Sequence, residues 1–168
     1  MHIFLTGEKQ VGKSTIVRKF ISQSGLSADG FVTYWEEDGD GGRSLYLSRF
    51  GAALQPGERF LIMHSSEQRP GSSDAVLRVF DVHGSGILDG SGNCDVIVMD
   101  ELGFIESKAA EFQKAVMRRI SGSVPVLGII KPLRTEFLDR IRANPNVVVR
   151  EVTVENRDDV LSWLLENF

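Results

Sequence analysis

Nine consecutive residues constrain this chain more than any other feature: Gly7-Glu8-Lys9-Gln10-Val11-Gly12-Lys13-Ser14-Thr15. From Gly7 to Ser14 they satisfy the Walker A pattern G-x-x-x-x-G-K-[ST] at every required position. The flanks agree with it. Ile3-Phe4-Leu5 is a short apolar strand leading in, and the spacing of Ile16, Val17, Phe20 and Ile21 predicts a helix leading out from Lys13 and stopping at Gly25. Two glycines let the backbone turn tightly, so that successive N–H groups converge on phosphate oxygens. The helix start adds its positive dipole end to the same anion. In this pattern Lys13 reaches the β- and γ-phosphates and the Ser14 hydroxyl ligates Mg²⁺.

The length of 168 residues suits one domain, 1–168, with room for a core that needs no covalent staples. A net charge of −4 opposes non-specific nucleic-acid binding, which needs clustered Lys and Arg, and no basic cluster exceeds Arg118-Arg119. With Cys94 as the single cysteine, an internal disulfide is impossible and a reducing compartment is the simpler reading. No apolar run reaches the ~20 residues that cross a bilayer, and the first residues lack a secretory pattern. The expectation is a cytoplasmic protein without a membrane segment.

Along the chain, Gly30 to Trp35, Ser44 to Ser48 and Arg59 to Met63 read as strands, the first two joined by a turn at Asp38 to Gly42. This part is expected to be an antiparallel insertion after the first helix. Ser65 to Ser73 reads as a loop, Val76 to Val82 as another strand, and Gly84 to Asn93, with four glycines, as a loop or frayed helix. The apolar run Val96 to Met99 then reads as a strand covered on both faces. A helix follows, with Ala109, Phe112, Val116 and Ile120 on one side. Val124 to Ile130 is a strand, Thr135 caps a short helix, Val147 to Val149 is the last strand, and Thr153 caps the final helix. The fold class is α/β: an open, mostly parallel sheet flanked by helices. Ligands of such sheets sit at the carboxyl ends of the strands, where the Walker A loop lies.

A Walker A loop needs an acid at the end of a neighbouring strand, and Val96-Ile97-Val98-Met99-Asp100-Glu101 supplies two. Asp100 is the candidate Mg²⁺ ligand, with Ser14. Glu101 is the candidate catalytic group, beside Lys13, that orients or deprotonates a water.

These segments resemble the small nucleoside-triphosphatase family of thermophile and cancer-related NTPases. The resemblance runs nearly end to end. It rests on Ile3 to Gly7 with Val11 to Thr15, on Gly30-Phe31-Val32-Thr33, and on the extended Walker B stretch Val98 to Glu106, where the family usually has Asp-Glu-Ile-Gly-x-Met-Glu. Pro125-Val126-Leu127-Gly128 and Val152 to Asp158 complete it. It implies a RecA-like P-loop NTPase fold and Mg²⁺-dependent hydrolysis of nucleoside triphosphates. Base selectivity is expected to be loose across ATP, GTP, CTP and UTP, since the guanine code Asn-Lys-x-Asp is absent. The chain departs from the family in three places. Gly7-Glu8-Lys9-Gln10 replaces Gly-Pro-Pro-Gly, Ile129-Ile130-Lys131 replaces Thr-x-His, and Gly84 to Asn93 replaces a helical stretch. On the resemblance, Asn156 and Arg157 are candidate base or phosphate contacts, against capping and surface charge.

Two other functions share a Walker A loop. A small-molecule or nucleotide kinase needs an arginine-rich lid, and 65–73 holds Arg69 alone. A nucleotide-switched binding module would signal through the insertion. Arg43, Arg49 and Arg69 are the candidate transition-state arginines there, and Trp35 and Trp163 are expected in the core or at its edge. The histidines His2, His64 and His83 show no zinc-ligand spacing.

Overall fold

Successive residues of the central strands go to opposite sides of one sheet, as the pleat requires. Ile3 and Leu5 pack in one core and Phe4 in the other; Val96 and Val98 face one way, Ile97 and Met99 the other. The computed structural model describes residues 1–39, 41–51, 59–65 and 74–168. Asp40 in the expected turn, and residues 66–73 of the loop expected from Ser65 to Ser73, Arg69 among them, lie outside the described residues.

The elements in chain order are β1 (His2–Thr6), α1 (Lys13–Ser24), β2 (Ala28–Glu37), β3 (Arg43–Arg49) and β4 (Arg59–His64). A helical stretch follows as α2 (Asp74–Arg78), a π-helical segment (Val79–Gly84) and α3 (Ser85–Gly90). Then come β5 (Val96–Leu102), a 3₁₀ turn (Ile105–Lys108), α4 (Ala110–Ile120) and β6 (Val126–Ile130). The chain finishes with α5 (Glu136–Arg142), β7 (Val147–Glu151) and α6 (Arg157–Asn167).

The sheet runs β4-β3-β2-β5-β6-β1-β7. β2, β5, β6, β1 and β7 are parallel neighbours, and β3 and β4 extend β2 antiparallel. This is the open, mostly parallel arrangement expected of a RecA-like chain. β2 belongs to both parts: Ala28 to Val32 pair with β5, while Phe31 to Glu37 pair with β3. The close approach to β5 needs Gly30, whose φ is +129° and where a Cβ would stand 2.0 Å from the Val98 carbonyl oxygen. α1 and α6 cover one face through Ile16, Val17, Phe20, Val160 and Leu164. The 74–90 stretch, α4 and α5 cover the other through Val76, Phe80, Leu88, Phe112, Ile120 and Phe137. No helix of the described residues is long and apolar enough to cross a membrane.

One expected strand is a helix. Val76 to Val82 is rich in β-branched residues, yet Val76, Phe80, Gly84 and Leu88 are buried at a strict four-residue spacing, and Val82 is exposed. On a 3.6-residue turn that spacing would drift around the helix; the wider π-helical turns take up the drift and keep the four on one face. Of Gly84 to Asn93, expected as a loop or frayed helix, the part to Gly90 is helical. Gly84 serves packing there, since a Cβ would meet Phe112 at 2.8 Å. Thr135 accepts the Leu138 N–H at 3.2 Å as expected. At the last helix, Thr153 shares the work: its N–H donates to Asn156 Oδ1, its hydroxyl accepts from the Asn156 N–H, and α6 starts after Asn156.

Candidate active site

β1 delivers the loop at the carboxyl edge of the sheet, with β6 on one side and β7 on the other. Gly7 has φ +135°, and a Cβ there would stand 2.2 Å from the Val152 carbonyl oxygen, so only glycine allows the chain to pass the end of β7. Gln10 at φ +66° and Gly12 at φ +102° turn the rest of the loop. Val11 turns inward and anchors it in the core, while Glu8, Lys9 and Gln10 stay exposed. α1 then begins at Lys13 with no side-chain cap, leaving its first N–H groups free for an anion.

Lys13 is buried, and its Nζ donates to the carbonyls of Gly7 at 2.9 Å and Glu8 at 2.6 Å. The ammonium is thereby folded back along the loop. Burial lowers its pKa from the ordinary lysine value, the neighbouring Glu101, Glu8 and Asp100 work against that shift, and Lys131 adds to it.

The acids arrive from β5. Asp100 lies between Val32 of β2 and Ile129 of β6. Its carboxylate is buried and accepts the Ser14 hydroxyl at 3.0 Å. Burial raises its pKa to about 6 against the help of Ser14. The β5–β6 register then slips: Asp100 faces Ile129 and Leu102 faces Ile130, so Glu101 is the extra residue of a bulge. In a regular strand, neighbours point to opposite faces; a bulge re-aims one of them. Glu101 accordingly lines the same cleft as Gly7 to Gln10, Gly12, Lys13, Ser14 and Thr15.

The cleft has a volume of about 780 Å³. Its other walls are Trp35, Ile129, Lys131, Pro132 and Leu133. Trp35, expected in the core or at its edge, thus sits at the cleft and is 41% exposed. The segment after β6 reaches the site because β6 lies between β1 and β5, a placement that local pattern does not encode. Lys131 Nζ stands 3.7 Å from Glu101 Oε2. Behind them, Glu106 is buried and accepts the Gly103 N–H at 2.9 Å; burial raises its pKa to about 7.

Of the candidate arginines of the insertion, the two that are described, Arg43 and Arg49, do not line the cleft. Arg49 pairs with Asp29 at 3.3 Å, at the start of β2 and the far end of the sheet. Arg43 stacks over Trp35 at 5.5 Å and does not line the cleft. Arg157 comes nearest of the late pair, its Cδ lying 3.9 Å from where a Gly12 Cβ would be. Asn156 is engaged in its own turn, donating to the Glu151 carbonyl.

Residues 2–165 match a family model described as NTPase. The cancer-related nucleoside-triphosphatase homolog of Bos taurus is 34% identical over 187 residues, covering 95% of this chain and 92% of that one. The crystal structure of THEP1 from the hyperthermophile Aquifex aeolicus matches with a TM-score of 0.76 at 24% identity, over 99% of this chain and 98% of that one. The solution structure of a human cancer-related nucleoside triphosphatase matches with a TM-score of 0.62 at 26% identity, over 98% and 95% of the two chains.

Proposed function

The chain belongs to the NTPase family, and from that premise we propose how it hydrolyses nucleoside triphosphates. The triphosphate lies along Gly7 to Thr15, held by loop N–H groups and the first turn of α1. Lys13 exchanges its carbonyl partners for β- and γ-phosphate oxygens. Glu101 orients a water and accepts its proton as the water oxygen attacks the γ-phosphorus. The bond from that phosphorus to the β,γ-bridging oxygen breaks, and diphosphate and phosphate result.

A divalent cation requirement goes with such a family, and Mg²⁺ is the ion we propose. The converging donors at the expected place are two hard oxygens, Ser14 Oγ and Asp100 Oδ1, 3.0 Å apart, a set that suits Mg²⁺. Bound there, the ion supplies charge that offsets the β- and γ-phosphate oxygens. Base selectivity is loose in this reading, because loop amides, Lys13 and the cation recognise only the triphosphate.

The observation that carries the proposal is the bulge, which turns Glu101 into the cleft beside the buried Asp100. The test is phosphate release with Mg²⁺ and each of ATP, GTP, CTP and UTP, with no second substrate. Turnover of all four within about 100-fold is expected, a spread of about 2.7 kcal/mol. Release only after a nucleoside, sugar or nucleotide is added would make the protein a kinase. Glu101→Gln should keep nucleotide affinity while turnover falls roughly 10²–10⁴-fold. Wild-type turnover in that variant would remove Glu101 from the mechanism.

A further inference from the structure

Glu101 has a weakness as a base. As the extra residue of a bulge, it lacks the paired neighbours that fix side chains in a regular ladder. Its side chain is 39% exposed, so water alone would let it sample many rotamers. Lys13 is a neighbouring cation but is bonded to its own loop carbonyls; the cation within ion-pair distance of Glu101 is Lys131, and Lys131 is unusually well held for a lysine. Its N–H donates to the Leu102 carbonyl at 2.8 Å, which ties it to the bulge itself. Its own carbonyl accepts from Arg142 Nη2 at 2.6 Å. Its stem lies in the space left by Gly103, where a Cβ would stand 2.7 Å from Lys131 Cδ. Gly103 is pinned in turn by the buried Glu106. The chain therefore fixes the backbone and stem of Lys131, and leaves its ammonium 3.7 Å from Glu101 Oε2 at the cleft.

We infer that Lys131 is a positioning residue: its ammonium holds the Glu101 carboxylate in the orientation that addresses the water. The inference rests on the base assignment proposed for Glu101. At 3.7 Å the pair is an electrostatic tether with no direct hydrogen bond, so Glu101 keeps its lone pairs for the water. A half-exposed ion pair is weak in bulk water, and strengthens when a bound nucleotide displaces water from the cleft. Tethering would thus matter most in the complex that reacts. Gly103 belongs to the same device, because any side chain there would push the lysine stem away from Glu101.

The test compares Lys131→Met, Lys131→Arg, Glu101→Gln and the Lys131→Met/Glu101→Gln double variant. Single-turnover ATP hydrolysis with Mg²⁺ gives the chemical rate, calorimetry gives nucleotide affinity, and thermal melting confirms each fold. Lys131→Met should slow the chemical step about 10-fold while Kd changes less than about twofold. Lys131→Arg should recover most of the rate, since it keeps the charge. The double variant should be no slower than Glu101→Gln, because there is then no base to position. A Lys131→Met protein that loses affinity but keeps its chemical rate would make Lys131 a phosphate contact instead. Additive losses in the double variant would also overturn the inference. If Glu101→Gln is slow and Lys131→Met is not, the positioning role alone falls. If Glu101→Gln reacts at the wild-type rate, the base assignment falls and this inference with it.

Discussion

Strands β1, β5 and β6 bury nearly every side chain on both faces, whereas β3 and β4 mix buried positions with exposed ones, Arg43 and Arg49 in β3 and Arg59, Leu61 and His64 in β4. The parallel half is covered by helices on both faces, so its strands read as continuous apolar runs and its polar chemistry is pushed to the carboxyl ends. There Asp100, Glu101, Lys131 and the phosphate loop meet. The antiparallel wing is covered on one face by the 74–90 helical stretch, and Tyr34, Tyr46 and Arg59 decorate its other features. Among the described residues it gives the cleft Trp35 and no charged group. The difference separates two kinds of residue. In the parallel half, a site residue can be changed with little effect on the core. In the wing, a core residue can be changed with little effect on the chemistry.

Lys13→Ala should break the comparison most sharply if it is wrong. It removes the buried cation that we propose for the β- and γ-phosphates, so kcat/KM should fall by about 10⁴-fold or more. The melting temperature should stay close to wild type, since among the described residues the ammonium is hydrogen-bonded to its own loop alone. Near-normal hydrolysis by a folded Lys13→Ala protein would remove the loop from the reaction.

Leu47→Ala should show the opposite behaviour. Leu47 is fully buried in β3, against the helical stretch near Gly84. Its truncation should cost about 2–5 kcal/mol in denaturant unfolding, as a cavity opens between wing and helix. Well below the melting temperature, kcat and KM should be unchanged. A large loss of turnover at full folding would mean that the wing feeds the cleft through Trp35.

Glu106 sharpens the comparison with a smaller and pH-dependent effect. Its pKa rises from 4.5 to about 7 on burial. Between about 4.5 and about 7 the folded protein therefore keeps a proton that the unfolded chain has released, and stability falls as the pH rises through that window. Glu106→Gln keeps an acceptor for the Gly103 N–H and has no proton to lose. Its stability relative to wild type should be greater at pH 7.5 than at pH 5, read from urea unfolding at both values. Curves that differ by the same amount at both pH values would show that Glu106 is ionised in the folded protein throughout.

The phosphate loop, the acidic end of β5 and the parallel arrangement were legible in the order of residues alone. Phosphate binding uses contiguous backbone, so the loop must be written as Gly7 to Thr15 without interruption, and a strand buried on both faces must be written as an apolar run such as Val96 to Met99. The helical stretch 74–90 was not legible in the same way, because its valines favour a strand locally and only packing under β3 and against Phe112 makes a helix the better solution. Tertiary structure also decided that Val11 turns inward, that Trp35 borders the cleft, that Arg49 lies at the far end of the sheet, and that Lys131 faces Glu101. Each of these depends on strand order and register. Placing β6 between β1 and β5 brings residue 131 beside residue 101, and a one-residue slip between β5 and β6 turns Glu101 into the cleft. A slip of that kind leaves no trace in local composition, since it is a property of two strands that meet only when the chain has folded.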